Sequence, residues 1–388
     1  MTETWEIQDF GLWGRLKERA APLSFELDLT ARCNNHCRHC YIDLPAGDAA
    51  AKAAEMSAAE ILALAGEAAS LGAVWCLLTG GEPLLRGDFE QIYLGLKRLG
   101  LLVTVFTNAC LVTPEHVELF RRYPPRDVEV TVYGATRETY ERVTRRPGSY
   151  DAFIRGLDLL RGGGVPLRLK AMALRSNIHE FEEISRFCRE RTKDFYRFDP
   201  VLHLRIDGDA QRNREIVAER LSPDEVVAVE RADAERFEAL ELGCREGRLV
   251  FPSRDDGHDA TAAAGRSDRL FSCGAGAGGF SVGYDGTFRL CSSLWHPDTV
   301  VNVRPGAPGS LSHVEALQDH ISKVRRIRGS DPQFLERCRV CDIINLCLWC
   351  PAHAALETGA MDGWVEYFCR VAHARAAALA GTQRAPRD

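Results

Sequence analysis

The sequence predicts an α/β fold: a partial (β/α)6, TIM-like barrel followed by a small cysteine-rich domain. Three observations carry this expectation. Short apolar strands alternate with amphipathic helices through residues 24–206, the mark of a parallel sheet with right-handed crossovers. Six such units fall short of the eight that close a barrel. Polar and glycine-rich turns follow the strands, at the end of the sheet where active residues gather in such folds. The chain has 14 cysteines, most of them in short-spaced clusters near the first strand and again after residue 270.

Phe25, Leu27 and Leu29 alternate with polar neighbours and predict the first strand, which ends at a cysteine loop. Ser57 and Glu60 have the spacing of a capping box and open a helix to about Ser70. Residues 74–78 read as a buried strand ending in Thr79-Gly80-Gly81-Glu82-Pro83. A helix over 88–98 leads to a third strand at 101–106, which ends in Thr107-Asn108. Thr113-Pro114-Glu115 starts a further helix, with proline at its favoured first position. The fourth and fifth strands lie at 128–132 and 167–173, and the helix between them, 150–161, stops at Gly162-Gly163-Gly164. A helix near 181–191 and a short strand at 195–198 complete the barrel. Residues 207–269 break the alternation. One long helix is expected there, from Ser222 to about Leu242, then a polar, Gly/Ala-rich loop over 255–268. The expected division is an N-terminal extension at 1–23, the barrel at 24–206, a bridging segment at 207–269, the cysteine-rich domain at 270–375 and a frayed tail at 376–388.

At 388 residues the chain is long enough for two or three domains with sizeable cores. Hydrophobic residues make up 45% and charged residues 27%, as in an ordinary globular protein. A net charge of −6 argues against a nucleic-acid partner. No apolar run is long enough to span a membrane, and the acidic start, with Glu3, Glu6 and Asp9, is not a signal peptide. A cytoplasmic location is therefore expected. In that reducing setting clustered cysteines read as metal or cluster ligands rather than disulfides.

The first cluster is Cys33-Asn34-Asn35-His36-Cys37-Arg38-His39-Cys40, a C-x3-C-x2-C loop directly after a strand. Three thiolates are one short of the four cysteines that usually hold a cubic 4Fe–4S cluster, so one iron would keep an open position. A zinc knuckle, with His36 or His39 as fourth ligand, is the competing reading of the same residues. The loop resembles the signature of the radical S-adenosylmethionine (radical SAM) enzymes. That resemblance implies that the open iron chelates SAM, and that one electron from the reduced cluster gives methionine and a 5′-deoxyadenosyl radical. Gly80-Gly81-Glu82-Pro83 is similar to the family's GGE motif, where backbone carbonyls or the Glu82 carboxylate would accept hydrogen bonds from the SAM ammonium. By the same resemblance Thr107, Asn108 and Thr131 would hold the ribose hydroxyls and carboxylate, and Leu174, with Met172, would line the adenine pocket. The plainer readings are a tight βα turn, hydroxyls bonded to nearby backbone, and a core strand.

The later cysteines run Cys273, Cys291, Cys338-x2-Cys341-x5-Cys347-x2-Cys350 and Cys369. This resembles the SPASM extension of radical SAM enzymes, in which seven cysteines hold two auxiliary clusters. The resemblance assigns Cys273, Cys291 and Cys350 to an inner cluster, and Cys338, Cys341, Cys347 and Cys369 to an outer one. It implies three 4Fe–4S clusters in all. Two features depart from the pattern. Cys347 and Cys350 are separated by two residues where three are usual, and the inner cluster has only three obvious ligands, so that either Cys244 supplies the fourth or one iron is open to bind substrate. Zinc in C-x2-C pairs is again the alternative. Of the four remaining cysteines, Cys76, Cys110, Cys188 and Cys244, most read as core residues, free cysteine being among the most buried types, with a hydrogen-atom donor as the minority alternative for one. Tyr133, Arg197, Asp199, Arg205 and Asp207 cluster near strand ends and are expected to serve mainly as structural ion pairs.

SPASM relatives mostly modify peptides, so a peptide or protein substrate is the leading expectation, with thioether or carbon–carbon crosslinking, epimerisation or side-chain oxidation as the chemistry. A ferredoxin- or flavodoxin-type reductant is implied. The short stretch before the first strand suggests a separate peptide-recognition protein. Ser292 follows Cys291 where sulfatase-maturing relatives carry Asp, which argues against formylglycine formation. Radical oxidation or rearrangement of a small molecule is the second expectation, and a non-catalytic iron–sulfur or zinc protein the third.

Overall fold

The computed structural model describes residues 22–192, 196–245, 268–304, 314–341 and 343–382. Six parallel strands form the barrel wall: β1 (Ser24–Asp28), β2 (Trp75–Thr79), β3 (Leu102–Thr107), β4 (Asp127–Val132), β5 (Leu167–Met172) and β6 (Arg197–Asp199). Their outward side chains, among them Phe25, Leu27, Cys76, Leu78, Val103, Val105, Val128 and Val130, are at most 1% exposed and pack beneath the crossover helices. The opposite faces, with Glu26, Phe106, Thr131, Lys170 and Met172, line a cavity inside the barrel. Period-2 alternation thus separates an apolar packing face from a polar interior.

The helices begin where local chemistry places them. Ser57 and Glu60 form the reciprocal capping box at the start of α1 (Ala58–Ser70). Next come α2 (Phe89–Arg98), α3 (Pro114–Arg122), capped by Thr113, α4 (Arg137–Thr144), α5 (Ser149–Gly162) and α6 (Phe181–Arg189). Helix α4 has no counterpart in the sequence reading, because its polar composition hides the apolar face formed by Tyr140 and Val143. The bridging segment is more helical than expected. It holds α7 (Ala210–Glu219), and the single long helix expected after Ser222 is two, α8 (Pro223–Ala232) and α9 (Ala234–Arg245). Asp233 takes an extended conformation between them, and its carboxylate accepts the Arg236 N–H at 3.1 Å. The expected loop at 255–267 and the extension up to residue 21 lie outside the described residues.

The cysteine-rich segment does not form a separate sheet. Strands β7 (Gly279–Val282), β8 (Thr287–Arg289) and β9 (Val301–Asn302) extend the barrel wall, giving one nine-stranded order β9-β8-β7-β1-β2-β3-β4-β5-β6. Strand β7 lies parallel to β1, with Ser24 opposite Gly279. The two expected domains are therefore joined through β1. After α10 (Val314–Arg325), helices α11 (Pro351–Thr358) and α12 (Glu366–Thr382) complete the fold. The expected tail from 376 is helical to Thr382.

Three contacts seat the C-terminal region. Arg289, 1% exposed, donates to Asp28 at 2.5 Å, to Ser281 Oγ at 2.8 Å and to the Ser292 carbonyl at 3.1 Å, with Trp295 stacked 3.8 Å from its guanidinium. Arg220 pairs with Glu357 of α11. His203, after β6, stacks on His353 of α11 with ring centroids 3.9 Å apart.

Two predictions follow from these contacts. Arg289→Ala leaves the Asp28 carboxylate buried and unpaired, a change that costs about 3–5 kcal/mol. Urea unfolding should show a loss of that size, and a loss below about 1 kcal/mol would contradict the role of the pair. The second concerns acid. Burial and the neighbouring His353 and Arg220 hold the His203 imidazole down to about 3, against roughly 6.5 in an unfolded chain. The unfolded chain therefore takes up a proton that the folded chain refuses. This contribution is absent above about pH 6.5 and erodes stability as pH falls from there toward 3. The decline in stability between pH 7 and pH 5 should be shallower in His203→Phe than in the parent; parallel declines would contradict it.

Candidate active site

The cysteine loop follows β1 in the middle of the wall, and its residues are fixed chiefly by groups outside it. Asp43, three residues past Cys40 and 4% exposed, is the hub. Its carboxylate accepts from Arg205 Nη1 at 2.8 Å and Arg212 Nη2 at 3.0 Å, and meets His36 Nδ1 at 2.8 Å. The same guanidiniums reach the loop backbone, Arg212 donating to the Cys37 carbonyl at 2.8 Å and Arg205 to that of Cys40 at 3.4 Å. From α4, the Thr144 and Val143 carbonyls accept the N–H groups of His36 and Arg38. Arg205 also pairs with Asp207 at 2.6 Å, the structural role expected for both.

The glycines after β2 are required by backbone contact with this loop. Gly80 has φ +128°, and a Cβ there would lie 2.2 Å from the Thr30 carbonyl oxygen. A Cβ on Gly81 would lie 2.3 Å from that of Arg32. The Gly81 and Glu82 N–H groups instead donate to those carbonyls at 2.6 and 2.9 Å.

Glu82 departs from its expected position. It is fully buried, and its carboxylate accepts from Leu84 N, Thr107 Oγ1 and Asn108 N at 3.1, 2.8 and 2.8 Å. Burial raises its carboxyl to about 7. The carboxylate thus ties the turn after β2 to the turn after β3 instead of facing a ligand. Pro83 is buried behind it and, like Glu82, does not line the cavity. Leu174 is corrected as well. It is fully buried among Val143, Leu202, Leu204 and Ile216, away from the cavity, which Met172 does line.

Gly80, Gly81, Thr107, Asn108 and Thr131 do border the cavity, together with Cys33, Cys37 and Cys40. Asn108 Nδ2 donates to Asn34 Oδ1 at 2.8 Å and lies 3.7 Å from Cys33 Sγ. The cavity measures about 550 Å³ and reaches from the cysteine loop to Ser292, Leu348, His353 and Arg375 of the C-terminal region. On its floor Lys170 pairs with Glu129 at 2.7 Å and lies 3.7 Å from the Phe106 ring centroid. Tyr133 lines it beside His39, at 5.1 Å between ring centroids.

Three sets of thiols lie near one another. Cys33, Cys37 and Cys40 lie within one another's electrostatic field, as do Cys273, Cys291 and Cys350. The third group is Cys338, Cys341, Cys347 and Cys369. All ten are free thiols. Desolvation raises the Cys37 thiol well above the usual range and pushes Cys40 and Cys350 up to about 12. The core thiols Cys76 and Cys188 are raised by burial in the same way, so it is the grouping of the thiols and not their shifts that suits iron–sulfur ligation. Among the described residues no three His, Cys, Asp or Glu side chains are drawn together tightly enough for a single metal ion. Cys244 lies on α9, but its side chain is outside the described part. Cys76 and Cys188 are core residues, 1% and 0% exposed. Cys110 instead flanks the cysteine loop, its Sγ 3.9 Å from Asn35 Nδ2.

Sequence reasoning missed Asp43, Arg212, His203 and His353. The first had a signal, an acid placed three residues after the last loop cysteine. The others become neighbours only through the fold. No helix among the described residues is long and apolar enough to cross a membrane.

Comparison with known proteins agrees with this geometry. Residues 27–188 match the radical SAM superfamily. The AdoMet-dependent heme synthase of Methanosarcina barkeri is 31% identical over 170 residues, 44% of this chain and 48% of that protein. The PqqA peptide cyclase of Gluconobacter oxydans is 27% identical over 169 residues, 44% and 46% of the two chains. The chain thus spans about half the length of these curated relatives. In fold it is similar to Streptococcus suis SuiB bound to its precursor peptide SuiA, with a TM-score of 0.62 at 14% identity, over 92% of this chain and 78% of that one. That likeness in fold extends beyond the barrel into the cysteine-rich region. The match to the radical SAM superfamily of enzymes is thus carried by the barrel, residues 27–188.

Proposed function

We propose that this protein uses SAM to modify a peptide or protein side chain. One 4Fe–4S cluster would be held by Cys33, Cys37 and Cys40, and two auxiliary clusters by the C-terminal cysteines. The observation that carries the reading is the shared cavity, which joins the three-cysteine loop to the segments that bear Cys291 and Cys350. Held by Cys33, Cys37 and Cys40, such a cluster would supply one-electron reduction of bound SAM, the electron coming from a ferredoxin- or flavodoxin-type donor, with the S–C5′ bond broken to give methionine and a 5′-deoxyadenosyl radical.

The chain's own residues bind, orient and exclude water. Gly80 and Gly81 bring backbone up to the ligand space, where a side chain would clash with the cysteine loop. Glu82 fixes the Thr107 hydroxyl and the Asn108 backbone from behind, which leaves Asn108 and Thr131 at the cavity wall to meet the SAM ribose and carboxylate. Apolar Leu77, Met172, Val201 and Leu202 surround the space left for substrate. A volume of about 550 Å³ suits a small-molecule site. A peptide would enter as an extended or looped segment that offers one side chain. The likeness to SuiB over nearly the whole chain, in a structure solved with its precursor peptide, supports this class.

A second reading rests on the heme synthase relative and makes the substrate an iron porphyrin. Co-expression with candidate precursor peptides, followed by mass spectrometry, separates the two. The peptide reading predicts a mass change in one peptide, absent with the Cys37→Ala protein. Unaltered peptides, together with a spectral shift and turnover on adding Fe-coproporphyrin III, would overturn it.

A further inference from the structure

At the edge of the cavity three charged side chains meet, two of them buried and the third, Arg236, with 29% of its side chain exposed. Glu230 of α8 is fully buried, and Arg375 of α12 is 5% exposed. Arg375 donates to both Glu230 oxygens, at 2.9 and 2.6 Å, and Arg236 of α9 donates to one of them at 2.9 Å. Two guanidiniums thus share this carboxylate, which leaves the trio one positive charge in excess. Burying an unbalanced charge is expensive unless an opposite charge lies close by.

The third donor arm of Arg375 points to such a neighbour. Its Nη1 donates at 2.8 Å to the carbonyl of Leu346, the residue before Cys347. Leu346 and Cys347 pack in the same cluster as Ala372 and Ala376 of α12. Cys347 belongs to the group with Cys338, Cys341 and Cys369, so the hydrogen bond to Leu346 sets the Arg375 guanidinium against the backbone that carries one of the four thiols. Four thiolates around a 4Fe–4S cluster give a net negative site, and net charge is one of the levers that set its potential.

We infer that Arg375, Arg236 and Glu230 form a fixed counter-charge for the outer cluster and hold its reduction potential up. The inference rests on the auxiliary-cluster reading above. Arg375 and Arg236 also line the cavity, so this charge lies between the substrate space and the outer cluster. An acceptor raised in this way is suited to taking an electron from the substrate side. The three are positioning residues, acting on the cluster through charge.

The test is an EPR-monitored redox titration in a Cys33/Cys37/Cys40→Ala background, where only the auxiliary clusters remain. The background protein should retain about eight irons per chain; failure to hold iron would overturn the cluster reading and the inference with it. With iron retained, Arg236→Gln and Arg375→Gln should move one of the two midpoint potentials to more negative values. Glu230→Gln should move the same potential the other way, while the second stays in place. Arg236 is the more exposed of the pair, so its variant decides the matter if Arg375→Gln does not fold. Shifts of the same sign in all variants, or none, would mark the trio as structural and refute the inference.

Discussion

The candidate site depends on one buried carboxylate. The loop from Cys33 to Cys40 has little regular structure, so it cannot hold its own shape. Asp43 draws the guanidiniums of Arg205 and Arg212 onto the loop, and each of these also reaches a loop carbonyl. Both arginines come from beyond the sixth strand, so the barrel must be complete before the loop can settle. Preorganisation of the thiols is thus a product of tertiary closure, with the local sequence supplying only the ligands and their spacing.

Strand β1 transmits that order in both directions. On one side β2 presents Gly80 and Gly81 to the cysteine loop, and Glu82 carries the constraint on to Thr107 and Asn108. On the other side β7 extends the sheet, and Arg289 reaches back to Asp28 through a buried pair. The segment with Cys291 is therefore registered against the strand that leads to Cys33. One cavity with cysteine-bearing segments on two sides is the consequence, and it is what makes a reaction that joins the two regions plausible in geometric terms.

Much of this was legible in the sequence because it is local or periodic. The six strands follow from alternation and the α1 and α3 starts from Ser57, Glu60, Thr113 and Pro114, while the grouping of the later cysteines came from the resemblance to the SPASM extension. The sheet shared by both regions was not legible, because β7 pairs with β1 across some 250 residues and nothing local records it. Glu82 was misread for a related reason. A carboxylate after a Gly-Gly turn looks ready for a cation, but its fate is decided by Thr107 and Asn108 on the next strand. Leu174 follows an alternating strand yet turns into a second core built by Leu202, Leu204 and Ile216. Asp233 splits a helix that periodicity alone would have continued.

The central claim is that the Cys33–Cys37–Cys40 loop makes this barrel a SAM-cleaving site. The most direct measurement is 5′-deoxyadenosine released from SAM by the anaerobically reconstituted, dithionite-reduced protein, beside the Cys33/Cys37/Cys40→Ala variant with its remaining iron in place. The account predicts 5′-deoxyadenosine from the parent and none from the variant. Equal amounts from both, or none from a fully loaded parent with and without candidate peptides, would contradict it.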